Sequence, residues 1–312
     1  MRADAAPIAR IEAMSLNVTA VSYAQKLSLT EVQRVRSALT AAGVALEAEA
    51  RTGNGRFEVH TAEGTLDSSA ADGSALAGLR QAVADAGVDG VDTALVPAAL
   101  RNAPRKFLIM DVDSTLIQQE VIELLAAYAG KREEVTAVTE AAMRGELDFA
   151  QSLHARVAVL AGLPADVVDS VRAEVKLSEG AAELVAAFKA AGHVVAVVSG
   201  GFNQILQPIA EGLGLHYWIA NELEIVDGAL SGKVIGDVID RAAKEKYLRA
   251  WAAAEGIPME HTIAVGDGAN DLDMLGAAGI GVAFNAKPAV RVAADAAVNM
   301  PYLDAVRHIA GV

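Results

Sequence analysis

The chain contains no cysteine and few aromatic residues. Of its 312 residues none is Cys, and aromatic side chains make up only 4%. The lack of cysteine excludes disulfides, thiolate catalysis and cysteine-ligated metal sites. Hydrophobic residues nevertheless make up 53%, so the core must consist mainly of Ala, Val, Leu and Ile. The length suggests two domains and is sufficient for a substantial core.

Positive charge is also scarce. The chain has 26 Lys and Arg residues against 40 Asp and Glu, a formal net charge of −14. Nucleic acids and anionic membrane surfaces are usually bound by a basic surface, so this balance argues against both partners. An anionic substrate would need local help from a lysine, from helix N-termini or from a metal ion.

Long hydrophobic runs are missing as well. No uninterrupted apolar segment approaches the length needed to span a bilayer. Near the N-terminus, Arg2, Asp4, Arg10 and Glu12 interrupt any apolar segment of a signal peptide. We therefore expect a soluble cytoplasmic protein that does not engage membranes.

Residues 1–100 have the pattern of a separate α+β domain. Apolar and polar residues alternate over 14–20, as in a half-buried strand. Ser28 and Glu31 have the spacing of a helix-capping box, and the glycines of 52–55 indicate a hairpin turn. The full order, βαββαβ, predicts a ferredoxin-like fold of the kind used by small-molecule-binding ACT domains.

Residues 101–312 have a different pattern, in which apolar runs alternate with helical segments. This alternation predicts an α/β fold with a doubly wound parallel sheet. Its predicted strands are 107–111, 194–198, 217–220, 262–266 and 280–284. The interval 118–180 has no strand signal, and its apolar spacing fits amphipathic helices. A helical insertion there would lie over the carboxyl edge of the sheet as a cap that could close over a substrate.

Two carboxylates follow the first apolar run of this second domain. Asp111 and Asp113 come directly after Phe107–Met110. At the carboxyl end of a buried parallel strand, one acid can face an electrophile while the other handles a proton. A calcium loop of the EF-hand type is excluded, because its required Gly and Glu are replaced by Leu116 and Ile122.

Polar residues also follow two later apolar runs. Ser199-Gly-Gly201 comes after 194–198, and small residues at such a turn let backbone N–H groups approach a phosphate. Asp267 follows 262–266 and can join Asp111 in holding a hard, oxygen-preferring cation such as Mg²⁺. Lys244 lies in a helical segment and could supply positive charge to a phosphate.

Taken in order, these segments resemble the motifs of the haloacid dehalogenase superfamily and, within it, of the phosphoserine phosphatases. The resemblance spans roughly residues 105–305. It is carried by the segments Asp111–Ile117, Val197–Phe202 and Val265–Asp271 together with Glu120, Arg156 and Lys244. It implies a haloacid dehalogenase-like core over 101–312 with a helical cap at 118–180.

The resemblance also implies catalytic and metal-binding roles. Asp111 would be the nucleophile that forms an aspartyl-phosphate, and Asp113 would be the general acid and base. Mg²⁺ would be held by Asp111, Asp267 and the backbone carbonyl of Asp113. Asp271 would lie behind these ligands and orient metal-bound water.

The substrate implied by the resemblance is O-phosphoserine, hydrolysed to serine and phosphate in the last step of serine biosynthesis. Opposite charges in the insertion would recognise the amino acid, with Glu120 on the ammonium group and Arg156 on the carboxylate. The remaining residues expected to bind substrate are Met143, Phe149, Ser199, Gly200, Lys244 and Asn270.

Two alternatives remain open from the sequence. One is a phosphatase or phosphotransferase of the same superfamily that uses another small phosphomonoester, or an acceptor such as homoserine in place of water. The other is an amino-acid-binding regulatory protein that has lost turnover. The ACT-like domain is expected to bind an amino acid or to mediate formation of a homodimer.

Overall fold

The computed structural model describes residues 14–68, 74–143, 146 and 148–312. The four charged residues that argue against a signal peptide therefore lie outside the described residues. The chain forms two compact units, Met1–Ala98 and Ala99–Val312. Within the described part of the chain, every helix is too short or too polar to cross a membrane.

The first unit is a four-stranded antiparallel sheet with two helices. Its strands follow the order β2-β3-β1-β4, which confirms the predicted ferredoxin-like arrangement. The elements are β1 (Met14–Ala24), α1 (Leu29–Ala41), β2 (Val44–Gly53), β3 (Glu58–Ser68), α2 (Ser74–Ala86) and β4 (Asp92–Pro97). Helix α1 begins at the predicted capping box, in which Ser28 and Glu31 bond each other's backbone N–H groups.

The second unit is built on a seven-stranded sheet in the order β11-β10-β9-β5-β6-β7-β8. All neighbouring strands are parallel except β7 and β8. The strands are β5 (Phe107–Met110), β6 (Val194–Phe202), β7 (Tyr217–Val226), β8 (Ala229–Ile235), β9 (Thr262–Gly266), β10 (Ile280–Phe284) and β11 (Ala296–Val298). Strands β5, β9 and β10 are fully buried, as expected for continuous apolar runs covered on both faces.

Helices connect these strands, and four of them form the predicted insertion between β5 and β6. The insertion consists of α4 (Val121–Tyr128), α5 (Arg132–Met143), α6 (Phe149–Ala158) and α7 (Val167–Glu174). The other helices are α3 (Ala98–Arg101), α8 (Ala181–Ala190), α9 (Asn203–Leu213), α10 (Arg241–Ala254), α11 (Leu272–Ala277), α12 (Pro288–Ala293) and α13 (Ala305–Ala310).

The strand order places the candidate site. The chain runs outward from β5 through β6 and β7, and then returns to β9 on the other side of β5. A doubly wound sheet opens a crevice at the carboxyl ends of its strands where the winding direction changes. Here that point lies at β5 and its neighbours, so the residues that follow β5 and β9 and those in the last part of β6 face one crevice.

Three predicted strands differ from the structure in their limits. The strand predicted at 107–111 ends at Met110, and the strand predicted at 217–220 continues to Val226. The strand predicted at 194–198 continues to Phe202 as β6, and the helix after it begins at Asn203. Phe202 pairs with Asn221 of β7, and this pairing extends the strand beyond Val198.

Candidate active site

A tight turn directs the side chains of Asp111 and Asp113 to different partners. Asp111 has an extended backbone, and the turn Val112–Leu116 that follows it contains Ser114 in the left-handed region at φ 57°. A non-glycine residue in that region is uncommon and is held there by its surroundings. As a result, the carboxylate of Asp111 contacts Lys244, whereas that of Asp113 contacts Ser199.

Lys244 lies at the centre of the site. It is in the first turn of α10 and is completely buried, and its Nζ lies 2.7 Å from Oδ1 of Asp111 and 2.7 Å from Oδ1 of Asp271. Burial by itself would lower the pKa of this lysine, but the two carboxylates outweigh it and raise the pKa. Lys244 is therefore a fixed buried cation.

The carboxylate of Asp111 is held through one oxygen. Its Oδ1 accepts a hydrogen bond from the backbone N–H of Val112 at 2.7 Å and also contacts Lys244. Both contacts fall on Oδ1, so among the described residues Oδ2 is the oxygen left open to a reacting group. Burial, followed by the charge of Asp271, raises the pKa of Asp111 well above its usual range.

Asp113 is bound to the Ser199–Gly201 segment of β6, where the pairing with β7 is interrupted. Its Oδ1 accepts from the backbone N–H of Val121 at 2.8 Å, and its Oδ2 accepts from the Ser199 hydroxyl at 3.0 Å. A Cβ atom at Gly201 would lie only 2.7 Å from Oδ2, so this approach requires glycine. Burial and the nearby charge of Glu120 raise the pKa of Asp113 to about 6. A carboxyl group with such a pKa can exchange a proton near neutral pH.

The residues after β9 complete an acidic cluster. Asp267 accepts a hydrogen bond from the Thr115 hydroxyl at 3.0 Å, and burial and then Asp271 raise its pKa to about 6. One carboxylate oxygen from each of Asp111, Asp267 and Asp271 lies within 4.8 Å of the others. Lys244 supplies only one positive charge to this oxygen-rich group, so the donor set fits a hard divalent cation.

The Ser199-Gly-Gly201 turn lies against the cap. The Ser199 hydroxyl accepts from the backbone N–H of Gly201 at 2.7 Å while donating to Asp113. A Cβ atom at Gly200 would lie 2.9 Å from Cζ of Phe149, the first residue of α6. Phe149 thus reaches the loop at which the sequence predicts phosphate binding.

The predicted charge pair lies beside the same acids. Glu120 precedes α4 and accepts a hydrogen bond from the Ser114 hydroxyl at 2.7 Å. Arg156 donates through Nε to the Ser152 carbonyl at 3.3 Å, and its terminal nitrogens make no hydrogen bond or ion pair with the described residues. Burial lowers the pKa of Arg156, and the charges of Glu120 and Asp113 oppose that effect. The cap therefore presents charges of both signs near Asp113.

Two further residues, Met143 and Asn270, were predicted to bind substrate. Met143 is the last residue of α5, and its side chain lies outside the described residues. Asn270 lies in the short 3₁₀ turn Ala269–Asp271, where its side chain folds against Gly268. Asp271 accepts from the backbone N–H of Gly268 at 2.9 Å and so closes this turn.

Sequence reasoning missed two residues at the site. Thr115 was part of a recognised motif without a role, yet it orients Asp267. Asn221 had no signal beyond its position at the end of a predicted strand, yet it bonds Gly200 and Ile239. These contacts link residues that are far apart in sequence, so local sequence patterns do not predict them.

The chain is similar to known hydrolases. The family model for haloacid dehalogenase-like hydrolases matches residues 108–276. A phosphoserine phosphatase of Streptomyces coelicolor is 60% identical over 235 residues, which cover 75% of this chain and 57% of that protein. A phosphoserine phosphatase of Streptococcus thermophilus is 49% identical over 202 residues, which cover 65% of this chain and 94% of that protein.

A solved structure has the same fold. It is described as a phospho-aspartyl intermediate analogue of phosphoserine phosphatase. Its TM-score is 0.62 at 43% identity, and the match covers 65% of this chain and 98% of that one. The chain itself spans little more than half the length of the Streptomyces relative. Given the family match over the residues that form the site, the chain belongs to the haloacid dehalogenase-like hydrolases.

Proposed function

We propose that this chain is a Mg²⁺-dependent phosphoserine phosphatase that works through an aspartyl-phosphate. The observation that carries the proposal is the buried Lys244, 2.7 Å from both Asp111 and Asp271, beside an acid–base group at Asp113. Relatives up to 60% identical are named phosphoserine phosphatase, which supports the same substrate here.

In the first step, an oxygen of Asp111 attacks the phosphorus of O-phosphoserine. The P–O bond to serine breaks as the P–O bond to Asp111 forms. The hydrogen bonds to Oδ1 leave Oδ2 as the attacking oxygen. Asp113, which holds a proton below its pKa of about 6, transfers that proton to the departing serine oxygen.

In the second step, water releases the phosphate. Asp113, now a carboxylate, accepts a proton from water as the water oxygen bonds to phosphorus. The P–O bond to Asp111 breaks, which regenerates its carboxylate and frees inorganic phosphate. Ser199 donates to Oδ2 of Asp113 and so keeps this carboxylate oriented for both steps.

Lys244 and the Ser199–Gly201 turn would stabilise the phosphoryl group. The lysine is completely buried and is fixed by two carboxylates, so it supplies positive charge without reorganisation. Gly200 and Gly201 carry no Cβ, which lets Phe149 and Asp113 approach the backbone of this turn. Asn270 would contact the substrate from the turn after β9.

The acidic cluster would hold Mg²⁺. Asp111, Asp267 and the backbone carbonyl of Asp113 are the assigned ligands, with Asp271 behind them. Three carboxylate oxygens within 4.8 Å of one another and a single lysine leave excess negative charge that a divalent ion would balance. When bound, the ion supplies electrostatic stabilisation to the phosphoryl oxygens.

The charges of the cap select the amino acid. Glu120 would pair with the ammonium group of phosphoserine, and Arg156 would bind its carboxylate through a bidentate contact. Phe149, against Gly200, and Met143 would line the apolar part of the pocket. A general phosphomonoester has no ammonium and carboxylate groups for Glu120 and Arg156 to bind. The presence of both charges therefore supports a zwitterionic substrate.

The proposal also covers the first unit and the pathway in which the enzyme acts. We assign residues 1–100 to an ACT-like domain that binds an amino acid or pairs two copies into a homodimer, and residues 101–312 to the phosphatase core with its cap at 118–180. We assign the activity to serine biosynthesis in the cytoplasm, without a nucleic-acid partner.

The direct test is phosphate release from O-phosphoserine. We expect turnover with Mg²⁺, loss of turnover with excess EDTA, and recovery when Mg²⁺ is restored. Addition of homoserine distinguishes hydrolysis from transfer, because a phosphotransferase would form phosphohomoserine. Binding of phosphoserine without release of phosphate would instead support the regulatory alternative and contradict the proposal.

A further inference from the structure

Asn221 is a buried amide that bonds two backbone segments. It lies in β7, and only 1% of the residue is exposed. Its Nδ2 donates to the carbonyl of Gly200 at 2.8 Å, and its Oδ1 accepts from the backbone N–H of Ile239 at 2.9 Å. Each end of the amide thus has one partner, with good hydrogen-bond length.

The bond to Gly200 falls within a break between two strands. The register of β6 and β7 shifts between Val198 and Phe202, so Ser199–Gly201 leaves the regular ladder. Asn221 is the residue that pairs with Phe202, immediately after this break. Its side chain therefore anchors a loop that the strand pairing does not hold.

The two backbone segments that Asn221 binds lie close to Ser199 and Lys244 in the sequence. Gly200 follows Ser199, whose hydroxyl donates to Asp113. Ile239 precedes Asp240, whose carboxylate caps α10 by accepting from the backbone N–H of Ala243 at 2.8 Å. Lys244 is the next residue along that helix. One amide consequently sets the separation between the phosphate-binding turn and the helix that carries the buried lysine.

We propose that Asn221 is a positioning residue for phosphoryl transfer. It holds the Ser199–Gly201 turn and Lys244 at the spacing that a phosphoryl group requires between them. The inference rests on the proposed function only in that the substrate carries a phosphate. The role of Asn221 does not depend on the amino-acid part of the substrate. Among the described residues, Asn221 forms no hydrogen bond with Glu120 or Arg156.

Substitution of Asn221 affects the two segments in a predictable way. Asn221→Ala removes both hydrogen bonds and leaves a buried carbonyl and a buried N–H without this partner. Asn221→Asp keeps the acceptor for Ile239 but places an oxygen against the Gly200 carbonyl, so it disrupts mainly the phosphate-binding turn. The pair therefore separates the two contacts.

Thr262 provides a matched control. It is completely buried at the start of β9, the end of the strand away from the acids, and it also joins two segments. Its hydroxyl donates to the Met259 carbonyl at 2.7 Å and accepts from the backbone N–H of Gly279 at 3.0 Å. Thr262→Ala therefore removes two similar buried bonds far from the site.

The experiment measures kcat and KM for O-phosphoserine and for p-nitrophenyl phosphate, well below each variant's Tm. We expect Asn221→Ala to lower kcat/KM on the order of 10- to 100-fold, by the same factor for both substrates. The inhibition constant of inorganic phosphate should rise in parallel. Thr262→Ala should lower Tm while kcat/KM stays within about threefold of the parent enzyme.

Amide hydrogen exchange supplies a readout independent of turnover. In Asn221→Ala, exchange should accelerate in peptides covering 199–203 and 238–244, and in Asn221→Asp mainly in 199–203. Thr262→Ala should leave both peptides unchanged. Wild-type kcat/KM in Asn221→Ala, or unchanged exchange in both peptides, would overturn the inference.

The two substrates separate this inference from the proposed function. Parent enzyme that hydrolyses p-nitrophenyl phosphate but not phosphoserine would contradict the proposed substrate and leave the role of Asn221 measurable. A loss confined to phosphoserine in Asn221→Ala would contradict the positioning role, because it would show that the amide affects recognition of the amino acid.

Discussion

The carboxylate of Asp111 is held through only one of its two oxygens. Lys244 and the N–H of Val112 both bind Oδ1, which fixes the group while Oδ2 remains available. Asp113, two residues later, is held by different partners on both of its oxygens. The two acids are therefore not interchangeable, although the sequence presents them as a pair.

Replacement of Asp111 by Asn should abolish turnover. The amide has nearly the same shape but is a far poorer nucleophile, so we expect kcat to fall on the order of 1000-fold or more. Acid-quenched reactions with labelled substrate should trap a phosphoenzyme in the parent and none in Asp111→Asn. Asp273→Asn, at a surface ion pair with Arg241, is the control that should retain activity. Substantial turnover in Asp111→Asn would remove the nucleophile assignment.

Arg156 and Lys244 should differ in the substrates that they affect. Arg156→Ala should reduce kcat/KM for phosphoserine by about 2–4 kcal/mol in transition-state stabilisation, because a partly buried charged partner proposed for the carboxylate is lost. Hydrolysis of p-nitrophenyl phosphate, which has no carboxylate, should change much less. Lys244→Ala should reduce both activities.

The control for Arg156 is Arg172→Ala, which removes an exposed arginine paired with Asp169 on α7. It should leave both substrates unaffected, since exposed ion pairs contribute little. Equal losses on the two substrates in Arg156→Ala would contradict recognition of the amino-acid carboxylate.

At the level of secondary structure, the hairpin of β7 and β8 forms one edge of the sheet and also binds the cap. Its turn, with Asp227 and Gly228 both at positive φ, is of the type that favours tight hairpins. Backbone hydrogen bonds of 2.8–2.9 Å join 162–165 of the cap to 228–230 of the hairpin. The cap is thereby attached to the core at a point distant in sequence from its two connections.

Gly232 in β8 tests this attachment. It has φ +83°, and a Cβ there would lie 2.8 Å from Cβ of Ala161 in the cap. Gly236 has φ +80° with no atom within 4 Å of such a Cβ, so it isolates the backbone cost. We expect Gly236→Ala to lower the free energy of unfolding by about 1 kcal/mol. Gly232→Ala should cost about 1–3 kcal/mol more because of crowding.

Urea denaturation with an unchanged m-value provides the measurement for both glycine variants. Because Gly232 contacts the cap, its substitution should also raise KM for phosphoserine, whereas Gly236→Ala should not. Equal destabilisation by the two variants would show that β8 and the cap do not pack closely at this point.

For the molecule as a whole, the site residues all lie in the second unit. We expect a fragment of residues 99–312 to fold and to hydrolyse p-nitrophenyl phosphate with a kcat within about tenfold of the full chain, since a domain with its own core can fold independently. The Streptococcus thermophilus relative supports this expectation, because 202 residues of this chain match 94% of its length. A fragment that is folded by circular dichroism yet inactive would show that the first unit is required.

Stability should fall with acid partly through His308. Burial, followed by the charges of Arg307 and Arg101, lowers its pKa to about 4 from the ordinary 6.5. The unfolded chain therefore binds the extra proton more readily, so this stabilisation is complete above pH 6.5 and is lost as pH falls toward 4. With allowance for the solvent-facing part of the ring, the loss is about 1–2 kcal/mol.

Replacement of His308 by Gln should reduce this acid sensitivity. Chemical denaturation at pH 7 and pH 4.5 should show a smaller difference in the free energy of unfolding for His308→Gln than for the parent. His261→Gln, in the short turn before β9, provides the control substitution and should keep the parental difference. An unchanged pH dependence in His308→Gln would contradict the neutral state assigned to this ring.

The sequence by itself determined the two folds and the segments that form the site. Period-two alternation, a capping box and apolar runs act over a few residues, so they define β1, α1 and the central parallel strands locally. The carboxyl ends of parallel strands meet at one edge, and therefore the pattern alone indicates a common crevice for Asp111, Ser199 and Asp267.

Only the tertiary structure decided which side chains in that crevice touch. Lys244 meets Asp271 across 27 positions of sequence, and Ser199 meets Asp113 across 86. The link from Asn221 to Gly200 depends on a register shift between β6 and β7. Such contacts arise from the packing of whole elements and carry no local periodicity. For that reason the sequence indicates where the chemistry lies, and the fold establishes how its groups are oriented and held.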